Sequence, residues 1–147
     1  MPGIVVGIDG SVHSRRALRW ALNEASIRHT PLTVLTVSQA VAGYSGSAVS
    51  YPGDQERAEK ARDAAQEETD SVLETIDTAS RPPSVTVQAV SGLPSEALLE
   101  AAAGADMLVV GSRGAGGFKR LLLGSVSSQV SSHAQCPVVV IPGEHLT

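Results

Sequence analysis

The sequence has little of several features that would point to a specialised class of protein. Of its 147 residues one is a cysteine and 3% are aromatic. A single cysteine excludes a disulfide within the chain and fits a reducing compartment. No apolar run approaches the ~20 residues of a membrane-spanning helix, and residues 1–7 show neither the basic nor the apolar segment of a signal peptide. We therefore expect a cytoplasmic protein without a membrane partner.

Positive charge is also scarce. Eleven lysines and arginines stand against 15 aspartates and glutamates, which gives a formal net charge of −4. A nucleic-acid surface normally carries a basic excess, so no nucleic-acid partner is expected. The sequence also has no G-x4-G-K-(S/T) motif, which excludes a P-loop NTPase, and no G-x-G-x-x-G after its first apolar run, which argues against a dinucleotide-binding fold.

Short apolar runs do alternate with helical patterns along the whole chain. Five runs rich in β-branched residues predict strands at 4–8, 32–37, 85–90, 107–110 and 138–141. Helical patterns lie between them: after a possible N-cap at Ser11, over 54–79, from Pro94, and over 125–134. Nearly continuous apolar strands are typical of a parallel sheet that is buried on both faces. The chain is therefore predicted to be one domain over 1–147, a three-layer α/β sandwich, with a long loop at 39–53.

Two loops of this predicted fold are candidates for a ligand site. They run from Gly7 to Ser11 and from Gly111 to Gly117, after the first and fourth strands. Ligands bind at the carboxyl ends of parallel strands, where the strand order reverses. Glycines let backbone N–H groups approach a ligand, and the helix that begins at Ser125 offers free N–H groups to a phosphate. Arg113 adds positive charge. Alternatively, the glycines only turn the chain and Ser125 is only a helix cap.

The second loop resembles a known pattern. Gly111-x2-Gly114-x9-Gly124-Ser125 is similar to G-x2-G-x9-G-(S/T), the ATP-binding pattern of the universal stress proteins. Four further blocks are similar to the same family: Val5–Ser11, Gly104–Gly111, Leu122–Ser127 and Cys136–Val138. The resemblance covers nearly the whole chain, and residues 39–53 are the least similar part.

This resemblance implies a fold, a ligand and a set of binding residues. The implied fold is the adenine nucleotide α-hydrolase-like type, a five-stranded parallel sheet in the order 3-2-1-4-5. The implied ligand is ATP, accompanied by Mg²⁺. The implied binding residues are Gly7, Asp9, Val37, Gly111, Arg113, Gly114, Gly117, Gly124, Ser125, Val126 and Ser127. Asp9 would face the ribose or adenine, unless it only caps the following helix, and Val37 would shape the adenine pocket.

The resemblance also implies a regulatory rather than a catalytic role. The serines at 125, 127, 128, 131 and 132 lie in or beside one helical pattern without a nucleophile elbow, so no catalytic residue is predicted. No pair of the four histidines has metal-ligand spacing, so no metal ligand is predicted. An apolar edge strand invites pairing, and a homodimer through Val138, Val139, Val140 and Ile141 is expected. The nucleotide state would be read by a regulatory protein that the sequence does not identify. A slow ATPase, a cAMP-binding protein and a nucleotide-free interaction module remain as alternatives.

Overall fold

Strands and helices alternate in the order that the sequence predicts. The computed structural model describes residues 3–39, 53–112 and 125–143. The strands are β1 (Ile4–Ile8), β2 (Leu32–Gln39), β3 (Val85–Gly92), β4 (Met107–Gly111) and β5 (Val138–Ile141). The helices are α1 (Val12–Arg28), α2 (Asp54–Leu73), α3 (Pro94–Ala101) and α4 (Ser125–His133), with a 3-10 turn at Thr78–Ser80. None of the helices within the described ranges is long and apolar enough to cross a membrane.

The strands form one parallel sheet in the order β3-β2-β1-β4-β5, which confirms the predicted fold. Ile4 pairs with Leu32 on one side and with Met107 on the other. The order of the strands therefore reverses between β1 and β4. Continuing the β1–β4 register brings Ile8 level with Gly111, so these two strands end side by side at the carboxyl edge of the sheet.

Apolar side chains fill both faces of the sheet, because successive residues of a strand point to opposite sides. Val6 and Ile8 lie on the face covered by α1 and α2, where Leu18 and Leu22 are fully buried. Val5 lies on the face covered by α3 and α4, in a second cluster. This second cluster contains Leu35, Leu98, Ala102, Leu108, Val110 and Val130. The three layers predicted from the sequence are confirmed.

Helix α1 begins and ends at the residues that its sequence favours. Ser11 is the N-cap, and its hydroxyl accepts a hydrogen bond from the Ser14 amide at 3.1 Å. His29 is the C-cap in the left-handed conformation (φ 52°), and its N–H donates to the carbonyls of Ala25 and Ser26. The predicted N-cap is therefore confirmed, and α1 leaves β1 through a short, fixed connection.

Helix α2 is shorter than the helical pattern over 54–79 predicts. It ends at Leu73, and side chains that lie beyond the helix bind the carbonyl groups at and just after this end. Arg81 donates to the carbonyls of Leu73 (2.9 Å) and Ile76 (3.3 Å). Thr75 donates to the carbonyl of Val72 at 2.6 Å and accepts from Arg19 of α1 at 3.2 Å. The helical composition continues past Leu73, so composition alone does not show where the helix ends.

Candidate functional site

The candidate site lies where the sheet reverses its order. We call it the central carboxyl edge and define it by Asp9, Ser11, Gly111, Ser112 and the first turn of α4. Because β1 and β4 are neighbours, the loops that follow them start side by side. In open α/β sheets this position forms a crevice that accepts ligands.

Asp9 takes part in the connection from β1 to α1. One of its carboxylate oxygens accepts a hydrogen bond from the Ser11 amide at 3.0 Å, and its own amide donates to the Ser14 hydroxyl at 3.2 Å. This is the local turn that aspartate commonly forms before a helix. The Asp9 side chain is exposed at this edge of the sheet, so a ligand can reach it. The ligand role of Asp9 stays a prediction.

Gly7 has a packing reason that the sequence did not reveal. A Cβ at this position would lie 2.7 Å from Cδ2 of Leu98, a residue of α3 that is 4% exposed. A side chain at position 7 would therefore have to displace the Leu98 side chain. The predicted contact between Gly7 and a nucleotide remains untested.

Val37 lies at the same edge of the sheet as Asp9. Ile8 pairs with Thr36. Asp9, directly after β1, and Val37 of β2 therefore each lie one residue beyond this pair. The Val37 side chain is half-buried against the second cluster, on the face covered by α3 and α4. The predicted contact of Val37 with an adenine ring stays a prediction.

The first turn of α4 supplies the other predicted residues. Ser125 is exposed, Val126 packs partly buried against the second cluster, and Ser127 is 2% exposed. The Ser127 hydroxyl donates to the Ser112 carbonyl at 3.3 Å. This bond attaches the start of α4 to the end of β4, and the predicted phosphate contact of Ser127 stays a prediction. The free N–H groups of a helix N-terminus favour an anion.

Four of the predicted binding residues lie outside the described residues: Arg113, Gly114, Gly117 and Gly124. The predicted loop at 39–53 also lies outside them, apart from Gln39 at the end of β2 and Gly53 before α2. The described part of the site therefore consists of the strand ends and the starts of α1 and α4.

Sequence reasoning missed Ser112. It occupies a variable position of the glycine pattern, and no local signal distinguishes it from the other serines. In the structure it is 6% exposed, and its backbone and hydroxyl bind Ser127 of α4, the end of β5 at Ile141 and Gly143 just after it. These contacts join residues that are far apart in the sequence, so a pattern search cannot find them.

The described residues show no metal cluster and no activated thiol. Among them no group of three or more His, Cys, Asp or Glu side chains could hold a metal ion. Cys136 is half-buried beside the second cluster, and burial raises the pKa of its thiol. A raised pKa leaves less of the reactive thiolate at neutral pH. Cys136 therefore contributes to the structure as a small apolar side chain.

The parallel sheet with its central order reversal defines a doubly wound α/β protein, a class that binds ligands at this edge of the sheet. Its sequence matches the model of the universal stress protein family over residues 2–142. The chain belongs to the universal stress protein family. Universal stress protein Rv2623 of Mycobacterium tuberculosis is 37% identical over 146 residues, which cover 97% of this chain and 48% of that protein. The chain spans about half the length of the curated relatives it matches.

Solved structures agree with this assignment. Universal stress protein UspA from Lactobacillus plantarum superposes with a TM-score of 0.74 and is 26% identical, covering 95% of this chain and 97% of that chain. A universal stress protein crystallised in complex with cAMP has a TM-score of 0.66 and 26% identity, covering 96% of each chain. The fold is the adenine nucleotide α-hydrolase-like type that these neighbours share.

Proposed function

We propose that this domain binds ATP at the central carboxyl edge and acts as a cytoplasmic regulatory protein rather than as an enzyme. One observation carries the proposal: the reversal of strand order brings the end of β1, the end of β4 and the start of α4 together at one edge. Membership of the universal stress protein family and the neighbour in complex with cAMP support an adenine nucleotide as the ligand.

The residues at this edge suit the parts of a nucleotide. The N–H groups that open α4 at Ser125 and Val126, together with Gly111, Gly114 and Gly124, would bind the phosphates. Val37 offers an apolar contact to the adenine. Mg²⁺ prefers phosphate oxygens, water and one or two carboxylates, and the exposed carboxylate of Asp9 lies at this edge.

Calorimetry with Mg²⁺-ATP tests the proposal on nucleotide-stripped protein. We expect micromolar binding by the parent chain and its loss in Gly114→Asp, because the new carboxylate repels the phosphates and the new side chain blocks the close approach of the backbone. Ala103→Asp is the matched control, since it adds the same charge at an exposed residue between α3 and β4, beyond the amino ends of the strands.

Three outcomes would change the conclusion. Equal losses in Gly114→Asp and Ala103→Asp would mean that net charge, and not the glycine loop, controls binding. Failure of the folded parent to bind any nucleotide would favour an interaction module. cAMP is the second candidate ligand because of the neighbour in complex with it. Tighter binding of cAMP in competition with ATP would make cAMP the ligand.

We also propose that two copies of the chain associate through β5. This strand pairs with β4 on one side and forms the edge of the described sheet on the other. Its residues Val138, Val139 and Val140 are partly exposed. A partly exposed apolar edge strand is a ready surface for pairing with another chain. The nucleotide state would then be read by a further regulatory protein on the assembled dimer.

A further inference from the structure

Ser112 is a buried residue that binds α4 and the residues at and after the end of β5, at the central carboxyl edge. Its amide donates to the Ile141 carbonyl of β5 at 2.8 Å. Its carbonyl accepts from the Ser127 hydroxyl of α4 at 3.3 Å, and its own hydroxyl accepts from the Gly143 amide at 3.3 Å. Because Ser112 and Ser127 are 6% and 2% exposed, water cannot readily replace these partners. The end of β4, the start of α4 and the segment after β5 are thus held together.

The segment after β5 also contacts the start of α1. A Cβ at Gly143 would lie 2.6 Å from Nδ1 of His13, which is in the first turn of α1. Any side chain at position 143 would therefore displace one of the two. The segment 141–143 consequently touches both sides of the central carboxyl edge: α1 through His13, and β4 with α4 through Ser112.

We propose that Ser112 is a positioning residue that couples the nucleotide site to the segment 141–143. It fixes the first turn of α4, whose N–H groups face the phosphates in the proposed function, and the same residue fixes the amide of Gly143. A nucleotide that orders the start of α4 therefore also orders residues 141–143, at the carboxyl end of the edge strand β5. The inference rests on the proposed function. A nucleotide can order residues 141–143 only if it binds more tightly when the first turn of α4 is ordered.

Four variants test the proposal. Ser112→Ala removes the hydroxyl that accepts from Gly143, and Ser127→Ala removes the donor to the Ser112 carbonyl. Ser112→Thr retains a hydroxyl at position 112 and should restore part of the function. Ser132→Ala is the control, since Ser132 is an exposed serine of the same helix whose hydroxyl bonds only within α4, to the Ser128 carbonyl. Calorimetry gives the Mg²⁺-ATP affinity, and hydrogen exchange gives the protection of the amides of Ser112 and Gly143 with and without ATP.

We expect ATP to slow exchange at Gly143 in the parent chain and in Ser132→Ala. In Ser112→Ala we expect this protection to disappear and the affinity for ATP to fall by about three- to tenfold, as for the loss of one buried hydrogen bond. Ser127→Ala should weaken ATP binding to a similar degree, because the first turn of α4 is released.

Other results would overturn the inference. If Ser112→Ala melts at a lower temperature but binds ATP with parental affinity and parental protection of Gly143, Ser112 is only structural. If the folded parent binds no nucleotide, the proposed function fails and the coupling fails with it. Exchange without ligand separates the two failures: Gly143 should exchange faster in Ser112→Ala whether or not a nucleotide binds, and parental exchange there would contradict the hydrogen bond on which the coupling depends.

Discussion

At Gly7 the space that a Cβ would take is occupied by the side chain of Leu98 in α3. The neighbouring residues of β1 all point large side chains into one of the two cores. A glycine at the end of a strand before a binding loop suggests close approach of a ligand, but here the close approach is that of a packed leucine. At this residue, an effect on the stability of the fold and an effect on ATP binding can therefore be measured separately.

Gly7→Ala is predicted to destabilise the protein by about 1–3 kcal/mol, the usual effect of overpacking a buried site. Leu98 is 4% exposed and cannot simply move away. Leu98→Ala alone should lose more, since it leaves a cavity. The two changes together should cost less than the sum of their separate effects, because the alanine at 98 makes room for the one at 7.

Urea unfolding of the two single variants and the double variant measures this coupling. Strict additivity would contradict the packing account. A parental stability for Gly7→Ala combined with a weaker affinity for ATP would instead support the nucleotide contact that the family resemblance implies.

In the edge strand β5 some backbone amides face the open edge of the sheet, whereas the Ile141 side chain is buried in the core. Ser112 donates to the carbonyl of Ile141, and Leu108 donates to the carbonyl of Pro137, the residue just before β5. Every second residue from 137 to 141 therefore faces β4 with its backbone. In a parallel ladder the residues between them, Val138 and Val140, direct their amides to the open edge. The Ile141 side chain is 9% exposed and belongs to the core under α1. Ile141→Lys would therefore disturb the core of each subunit, and a loss of the dimer in that variant would not show that the edge of β5 forms the interface.

Val140→Pro tests the proposed dimer without changing the buried Ile141. Proline removes an edge amide and is tolerated on edge strands, so the variant should fold and become monomeric. Val140→Ala keeps the amide and is the control that we expect to remain dimeric. Light scattering gives the mass, and circular dichroism verifies that both variants are folded. A folded Val140→Pro variant that keeps the dimer mass would exclude pairing through β5.

At the scale of the whole molecule, a bound nucleotide must stabilise the domain. A ligand that binds only the folded state adds about 2.7 kcal/mol when its free concentration is about 100 times Kd. For a domain near this size, 1 kcal/mol corresponds to roughly 2–4 °C in the melting temperature, so ATP should raise it by about 5–11 °C.

Thermal melting with increasing Mg²⁺-ATP measures this stabilisation. Gly114→Asp should show no rise, whereas Ala103→Asp should follow the parent chain. A melting temperature that stays constant up to saturating ATP would contradict specific binding by the folded domain. An equal rise in all three proteins would indicate a non-specific effect of the polyanion.

The sequence by itself determined the elements, their order and the family. The runs that form β1 and β5 are β-branched and apolar, and the Ser11 cap before α1 is a local signal, so each could be predicted from a few adjacent residues. The glycine pattern from Gly111 to Ser125 resembled the family to which the chain belongs. These features depend on interactions within one element or on a conserved spacing, and such information is local.

The tertiary structure alone decided several features of the site. It placed the Arg81 side chain on the last carbonyl of α2, gave Gly7 its packing role against Leu98, and buried Ile141 in the core of its own chain. It also made Ser112 the point where three segments meet, through a hydrogen bond to a residue 31 positions away. Contacts of this kind form only when the sheet brings distant segments together, and no periodicity or short motif encodes them.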